Sequence, residues 1–420
     1  MKYTIQAPTT INTYIKLPAS KSISNRALIL NALAYSINEP KNLSDCDDTK
    51  VMLNVFNSNS NKFDIGAAGT SMRFLTAFLS RIAGVWEITG SQRMKNRPIK
   101  VLVDALTSLG AKIEYLEKEG FPPLKITGKA LKGGDLEISG SVSSQYISAL
   151  LMIAPGMKDG LNLTLTGDIV SIPYIKMTLE MLKDFGVSHK WTNNTISIKP
   201  QEIKDISYTV ENDWSAASYW YEIASLISGS EIELSGLKKN SLQGDSKVAE
   251  YFKSLGVETQ WKNDSIVIRN NNSDIEYFET DLTNEPDIAQ TLVVTCALKN
   301  IRFKFSGLQT LRIKETDRIA ALKNELKKLG YLLKDTDNSI EWDGNKCPKE
   351  SSPAIDTYED HRMAMAFAPA SIVFDNIIIN EPMVVSKSYP EYWNDLKRVG
   401  FKVNEIAITH LKMRYPTEGI

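Results

Sequence analysis

Leu255-Gly256 followed by VETQWKNDSIVIRN (residues 257–270) is one copy of an arrangement that runs through the whole chain. A helical pattern ends in a bulky apolar residue and Gly, and two short strand patterns follow. The arrangement returns at Leu109-Gly110 before AKIEYLEKEGFPPLKITG, at Phe185-Gly186 before VSHKWTNNTISIKP, at Leu329-Gly330 before YLLKDTDNSIEWDG and at Val399-Gly400 before FKVNEI. The glycines are 76, 70, 74 and 70 residues apart. Gly suits a helix C-terminus because it takes the left-handed conformation without strain. Segments such as Ser265-Ile266-Val267-Ile268-Arg269 alternate and are expected to be half-buried strands. A period near 70 in 420 residues predicts six copies, the first degenerate and ending near Asn57–Asn61. So long a period means globular α/β units, not the short stacked units of a solenoid.

Composition limits the function classes. The chain is 42% hydrophobic and 24% charged, which fits a folded globular protein of two large domains. With 49 Lys plus Arg against 50 Asp plus Glu, the net charge of −1 gives no electrostatic case for nucleic acid or an anionic membrane. Thr291–Leu298 and similar apolar runs are too short to span a bilayer. The opening Met1–Gln6 does not read as a secretory signal, and three scattered cysteines point to a reducing, cytoplasmic setting. His189, His361 and His410 lie far apart, so no metal site is expected.

Cations stand repeatedly where helices begin, against the helix dipole, and this marks anion binding. In PASKSISNRALILNALA, Lys21 and Ser22 open a helix and Arg26 follows Ser22 by one turn. Gly66-Ala67-Ala68-Gly69-Thr70-Ser71-Met72-Arg73 feeds an apolar helix from Phe74, and its small residues allow close backbone approach. It is neither a P-loop nor a dinucleotide fingerprint. Ser143-Ser144-Gln145 leads into a third helix, as ligand donors or as simple caps. Arg97 precedes Pro98, which suits the first position of the next helix. Lys314-Glu315-Thr316-Asp317-Arg318 opens the helix ending at Leu329, with Lys314 and Arg318 on one face, either as a site or as surface ion pairs. Asp360-His361-Arg362 heads an apolar helix, and Lys387 precedes Tyr389-Pro390. Asp213, Asp287 and Glu315 are the acidic candidates for proton transfer. The residues alone imply an enzyme acting on small anionic, phosphorylated molecules.

At these motifs, in this order from about Ile5 to Gly400, the sequence resembles the enolpyruvyl transferase family, on the branch acting on 3-phosphoshikimate. The resemblance implies an α/β (α+β) fold of two domains, each of three βαβαββ-type units, with the active site in the cleft between them. Domain I is expected to take residues 1–19 plus 213–420, and domain II residues 20–212. It further implies that Lys21, Ser22, Arg26, Ser143, Ser144, Gln145, Ser171, Tyr174, Asp287, Thr310 and Lys314 bind 3-phosphoshikimate. Lys21, Gly69, Arg97, Gln145, Arg318, Arg362 and Lys387 are implied for phosphoenolpyruvate, with Lys21, Asp287, Glu315 and His361 around the reacting atoms. No cofactor, metal, nucleic acid or membrane is implied, and the chain is expected to be a monomer. Three positions depart from the family pattern: Ala67 stands for Asn, Phe74 for Pro and Thr310 for Asn. The segment after Lys402, ending Thr417-Glu418-Gly419-Ile420, runs past the usual family end. The sister branch acting on UDP-N-acetylglucosamine carries a reactive Cys before its Arg-Pro, and residues 89–97 contain none. The same fold would also suit a non-catalytic relative that binds a phosphometabolite, or a relative that processes RNA ends. Retention of the acidic and basic motif residues opposes the first, and the lack of a basic surface opposes the second.

Overall fold

The computed structural model describes residues 1–406; the C-terminal segment noted above lies largely outside them. A complete repeat folds as strand, helix, strand, helix and hairpin. In the copy from Lys62 to Gly128 the sheet order is Lys62–Asp64, Gly84–Thr89, Leu124–Gly128, Lys112–Tyr115, with the first pair parallel and the others antiparallel. The copies from Gly134 to Ile198 and from Tyr277 to Trp342 repeat this order and these directions.

Two copies borrow a strand from the N-terminus. Lys2–Gln6 pairs antiparallel with both Ile377–Asn380 and Lys402–Glu405, filling the third place in the last sheet. Asn12–Ile15 pairs parallel with Glu231–Ser235 and supplies the first strand of the copy whose helix is Trp214–Leu226. The degenerate first copy keeps its helices, Lys21–Leu33 and Asp47–Phe56. Among the described residues its strand-like pairings are reduced to isolated bridges, Ala19 with Asn212 and Lys41 with Thr209.

The apolar side chains form two separate cores. One takes Ile5 to Leu17 together with Trp214 to Val403, and the other Ala19 to Val210. The chain passes from one core to the other near Ala19 and back near Asn212, and the two segments run side by side: Ser20 N donates to Glu211 O at 2.8 Å and Asp213 N to Pro18 O at 2.9 Å. At the centre of the first core, all ten residues of Ala289–Leu298 are buried. The strand Ser265–Asn270 differs from the half-buried expectation, since Ser265 to Ile268 are all buried. It is an inner strand, and Val267 lies between its register partners Glu233 and Gln260, whose long side chains flank it.

The repeating glycines close helices. Gly110 N donates to Thr107 O at 3.0 Å and Ala111 N to Leu106 O at 2.9 Å, the paired bonds of a left-handed cap, with Gly110 at φ 105°. Gly256 adopts φ 89° after the helix Val248–Ser254, and a Cβ there would lie 2.6 Å from the backbone C and O of Asn272. At Gly110 the nearest atom, Lys132 N, is 3.4 Å away. Gly110→Ala is therefore expected to cost about 1–2 kcal/mol in denaturant unfolding, the conformational penalty alone. Gly256→Ala should cost more, because backbone has to move. Equal losses would refute the steric account.

Candidate active site

The helix Lys21–Leu33 begins with Ser20 capping Ile23 N at 3.3 Å, which leaves Lys21 and Ser22 in the first turn. Arg26 points into the protein. Its Nε donates to Thr178 Oγ1 at 2.8 Å, Nη1 to Ser22 O at 2.8 Å and Nη2 to Ser148 Oγ at 2.9 Å. The guanidinium lies 5.2 Å from the Phe74 ring centre and 5.8 Å from that of Tyr174. No carboxylate among the described residues pairs with it, and burial lowers its pKa to about 10. A buried cation with aromatic faces but no acid is suited to a bound anion.

Gly69 opens the helix Gly69–Arg81, and its missing side chain makes room for two guanidiniums. A Cβ there would sit 2.5 Å from Arg97 Nη1 and 3.3 Å from Arg73 Nη1. Arg73 is buried and holds Gly69 O at 3.0 Å, whereas Arg97 makes no side-chain hydrogen bond or ion pair among the described residues. Ser143 caps Gln145 N, and Gln145 Nε2 donates to Thr70 Oγ1 at 3.1 Å. Ser171 takes φ 54° as the cap of Ile172–Asp184, and its N–H donates to Thr283 O of the other core at 3.1 Å.

Facing these residues is a charge cluster centred on Arg318, which is 1% exposed. Its Nε donates to Asp360 Oδ2 at 2.7 Å, Nη1 to Asp287 Oδ1 at 3.0 Å and Nη2 to Glu315 Oε2 at 2.8 Å. Asp287 also accepts the Tyr174 hydroxyl at 2.7 Å, and Arg362 Nη2 and Lys314 Nζ lie 3.4 and 3.8 Å from it. Burial alone would raise the Asp287 pKa, but Arg362, Lys314 and Arg318 outweigh it and hold the carboxyl well below the usual range. Glu315 is likewise held low against its burial, by Arg318 first and then by Arg97 and Lys21. His361 is driven well below its ordinary pKa, by burial first and then by Lys21 and Arg362. It is neutral, and neither ring nitrogen has a hydrogen-bond partner among the described residues.

Between the two faces runs a cleft of about 390 Å³. Its wall brings together all the residues that the resemblance singled out: Lys21, Ser22, Arg26, Gly69, Arg97, Ser143, Ser144, Gln145, Ser171, Tyr174, Asp287, Thr310, Lys314, Glu315, Arg318, His361, Arg362 and Lys387. Asp213 is not among them. It caps the helix Trp214–Leu226 through Ser215 N at 2.8 Å and lies in a small neighbouring crevice. Two local readings are corrected. Pro98 sits two residues ahead of the helix Lys100–Ser108, not at its first position. Lys314 lies outside the helix Arg318–Lys328, so it shares no helix face with Arg318; the two meet at Asp287 instead. Of the departures, Ala67 lines the cleft, Phe74 lies against Arg26, and Thr310 Oγ1 is buried without a partner among the described residues. Sequence reasoning passed over Asp48, Arg73 and Asp360. Asp48 and Asp360 look like ordinary helix-start acids, and no local signal reveals that Lys21 and Arg318 are their partners.

The profile of the EPSP synthase family (3-phosphoshikimate 1-carboxyvinyltransferase) matches residues 5–58 and 54–396. The chain belongs to the EPSP synthase family. A 3-phosphoshikimate 1-carboxyvinyltransferase of Bacteroides fragilis is 56% identical over 405 residues, 96% of this chain and 99% of the relative. One from Aliivibrio fischeri is 36% identical over 425 residues, 94% and 99% of the two chains. The solved EPSP synthase of Acinetobacter baumannii superposes with a TM-score of 0.78 at 21% identity, covering 96% of this chain and 100% of that one. It shares the two-domain fold of the EPSP synthase family. Among the described residues, no helix is long and apolar enough to cross a membrane.

Proposed function

We propose that the chain transfers the carboxyvinyl group of phosphoenolpyruvate to the 5-hydroxyl of 3-phosphoshikimate and releases phosphate. The observation that carries this reading is the cleft itself, which sets nine Lys or Arg side chains around three carboxylates and one neutral histidine. Two anionic substrates need such an excess of cations, and addition to an enol phosphate needs acid and base beside them. The reading places 3-phosphoshikimate on Ser22, Arg26, Ser143, Ser144, Gln145, Ser171, Tyr174, Thr310 and Lys314. It places phosphoenolpyruvate on Gly69, Arg97, Gln145, Arg318, Arg362 and Lys387, with Lys21 facing both. Asp287 takes the proton of the attacking hydroxyl. The proton reaching the methylene comes from Lys21 or from Glu315. Arg318, Arg97 and Lys21 keep Glu315 ionised, and anions that neutralise them would raise its pKa and make it an acid. The tetrahedral adduct then expels phosphate toward Arg318, Arg362 and Lys387 while its new methyl group returns a proton to the group that supplied it, which restores the carboxyvinyl double bond. Residues 1–19 with 213–406, and residues 20–212, act as two domains whose approach excludes water. We place the enzyme in the cytoplasm as a monomer; Cys46, Cys296 and Cys347 are all free thiols.

Phosphate release tests the reading, with phosphoenolpyruvate plus either 3-phosphoshikimate or UDP-N-acetylglucosamine. Turnover with the first alone is expected, and turnover with only the second would overturn it. Gly69→Ala is expected to displace Arg97, whose guanidinium occupies the space of the new methyl. Loss of one charge-assisted contact, about 1.5–3 kcal/mol, should raise KM for phosphoenolpyruvate about 10–100-fold. An unchanged KM would remove Arg97 from that site.

A further inference from the structure

Asp48 is an unexpected group to find in a cleft fitted to anions, because a carboxylate there repels them. It stands in the first turn of Asp47–Phe56, with its backbone carbonyl held by Ser71 Oγ at 2.8 Å. Its carboxylate lies 3.7 Å from Lys21 Nζ, and the side chains are 7% and 17% exposed. That separation gives an ion pair without a hydrogen bond. Among the described residues, Lys21 Nζ donates to nothing and the Asp48 carboxylate accepts nothing, so all three ammonium donors of Lys21 remain available.

Several groups bear on the Lys21 charge. Burial opposes it first, and Arg362 and the N-terminal dipole of its own helix act the same way. Asp48 favours it most, and Glu315 and, once ionised in alkali, Cys46 add to it, so that the pKa is raised above the ordinary lysine value. His361 also bears on Lys21 but is neutral, while Arg97 and Lys387 act on Asp48 and favour its charge. Glu315 is already bonded to Arg318 at 2.8 Å. Asp48 is therefore the acid with no other commitment. We propose that Asp48 is a positioning residue that keeps Lys21 charged at the mouth of its helix while leaving its three N–H donors for an anionic substrate group.

The kinetic consequence rests on the proposed activity, but the charge itself does not. Competitive acetylation of Lys21 with acetic anhydride between pH 7 and 11, read by mass spectrometry, titrates the amine without any substrate. In Asp48→Asn the midpoint should move to lower pH, and labelling of Lys21 at pH 8 should rise about tenfold or more, as loss of an opposite charge at this range implies. Asp48→Glu should restore the parent titration, and Asp48→Ser serves if the Asn variant does not fold. In turnover, Asp48→Asn should leave KM for phosphoenolpyruvate unchanged or lower at pH 7, and its kcat/KM should fall at a lower alkaline pH than the parent's. An unshifted Lys21 titration in a folded variant would overturn the proposal. So would a rate loss of the same factor at every pH, which would make Asp48 a proton carrier or a mere packing group. Absence of turnover in the unmodified chain would refute the activity and leave the labelling result standing.

Discussion

Asp287→Asn is expected to lower kcat by about 10²–10⁴-fold, the usual contribution of a positioned general base, without weakening 3-phosphoshikimate. The second half of this expectation comes from the charge count around the residue. Asp287 is the shared partner of Arg318, Arg362 and Lys314. Removing its charge leaves those cations short of one anion, so a phosphorylated ligand should bind as well as before or more tightly. Steady-state kinetics with calorimetric binding separates the two effects, and a raised Kd with normal kcat would make Asp287 a binding group only. The same cations set the pH behaviour. They hold Asp287 ionised far into acid in the free protein. Bound anions draw on them and let its pKa rise, so the acid limb of kcat should lie at higher pH than that of kcat/KM. His361, already neutral, should contribute no limb near its ordinary 6.5.

Arg318→Met should be the most damaging single change to the fold. Met matches much of the volume, but it leaves Asp360, Glu315 and Asp287 without the cation they share, and Asp360 is wholly buried. Breaking a buried pair on one side costs about 3–5 kcal/mol, a large share of a domain's stability. The loss should depend on pH in a defined direction. Asp287 and Glu315 have folded pKa values depressed below their ordinary 3.8 and 4.5. Their stabilisation is present above those values and disappears as pH falls through the depressed ones. The deficit of Arg318→Met should therefore be greatest near neutrality and shrink in acid, as the stranded carboxyls take up protons. Chemical unfolding of the two proteins at pH 7 and pH 4 measures this. A deficit independent of pH would mean that lost packing, not stranded charge, is the cause.

The repeat was legible in the sequence because its determinants are local. A left-handed residue at a helix end demands Gly within one turn of the last apolar position, and so Gly110, Gly186, Gly256, Gly330 and Gly400 mark the unit whatever surrounds them. The cleft residues were legible for a related reason. A cation at the start of a helix is locally unfavourable, and Lys21, Arg318 and Arg362 show that conflict in the primary structure. What each cation touches was not legible. Lys314 and Arg318 read as neighbours on one helix, yet the helix begins only at Arg318, and both reach Asp287 from a different repeat element. The parallel pairing of Asn12–Ile15 with Glu231–Ser235 joins segments separated by an entire core, and nothing in either strand names the other. Periodicity and backbone preference act over a few residues, so the chain's order records them. Ion pairs such as Lys21 with Asp48 depend on which buried surfaces come to face each other, and only the packed structure decides that.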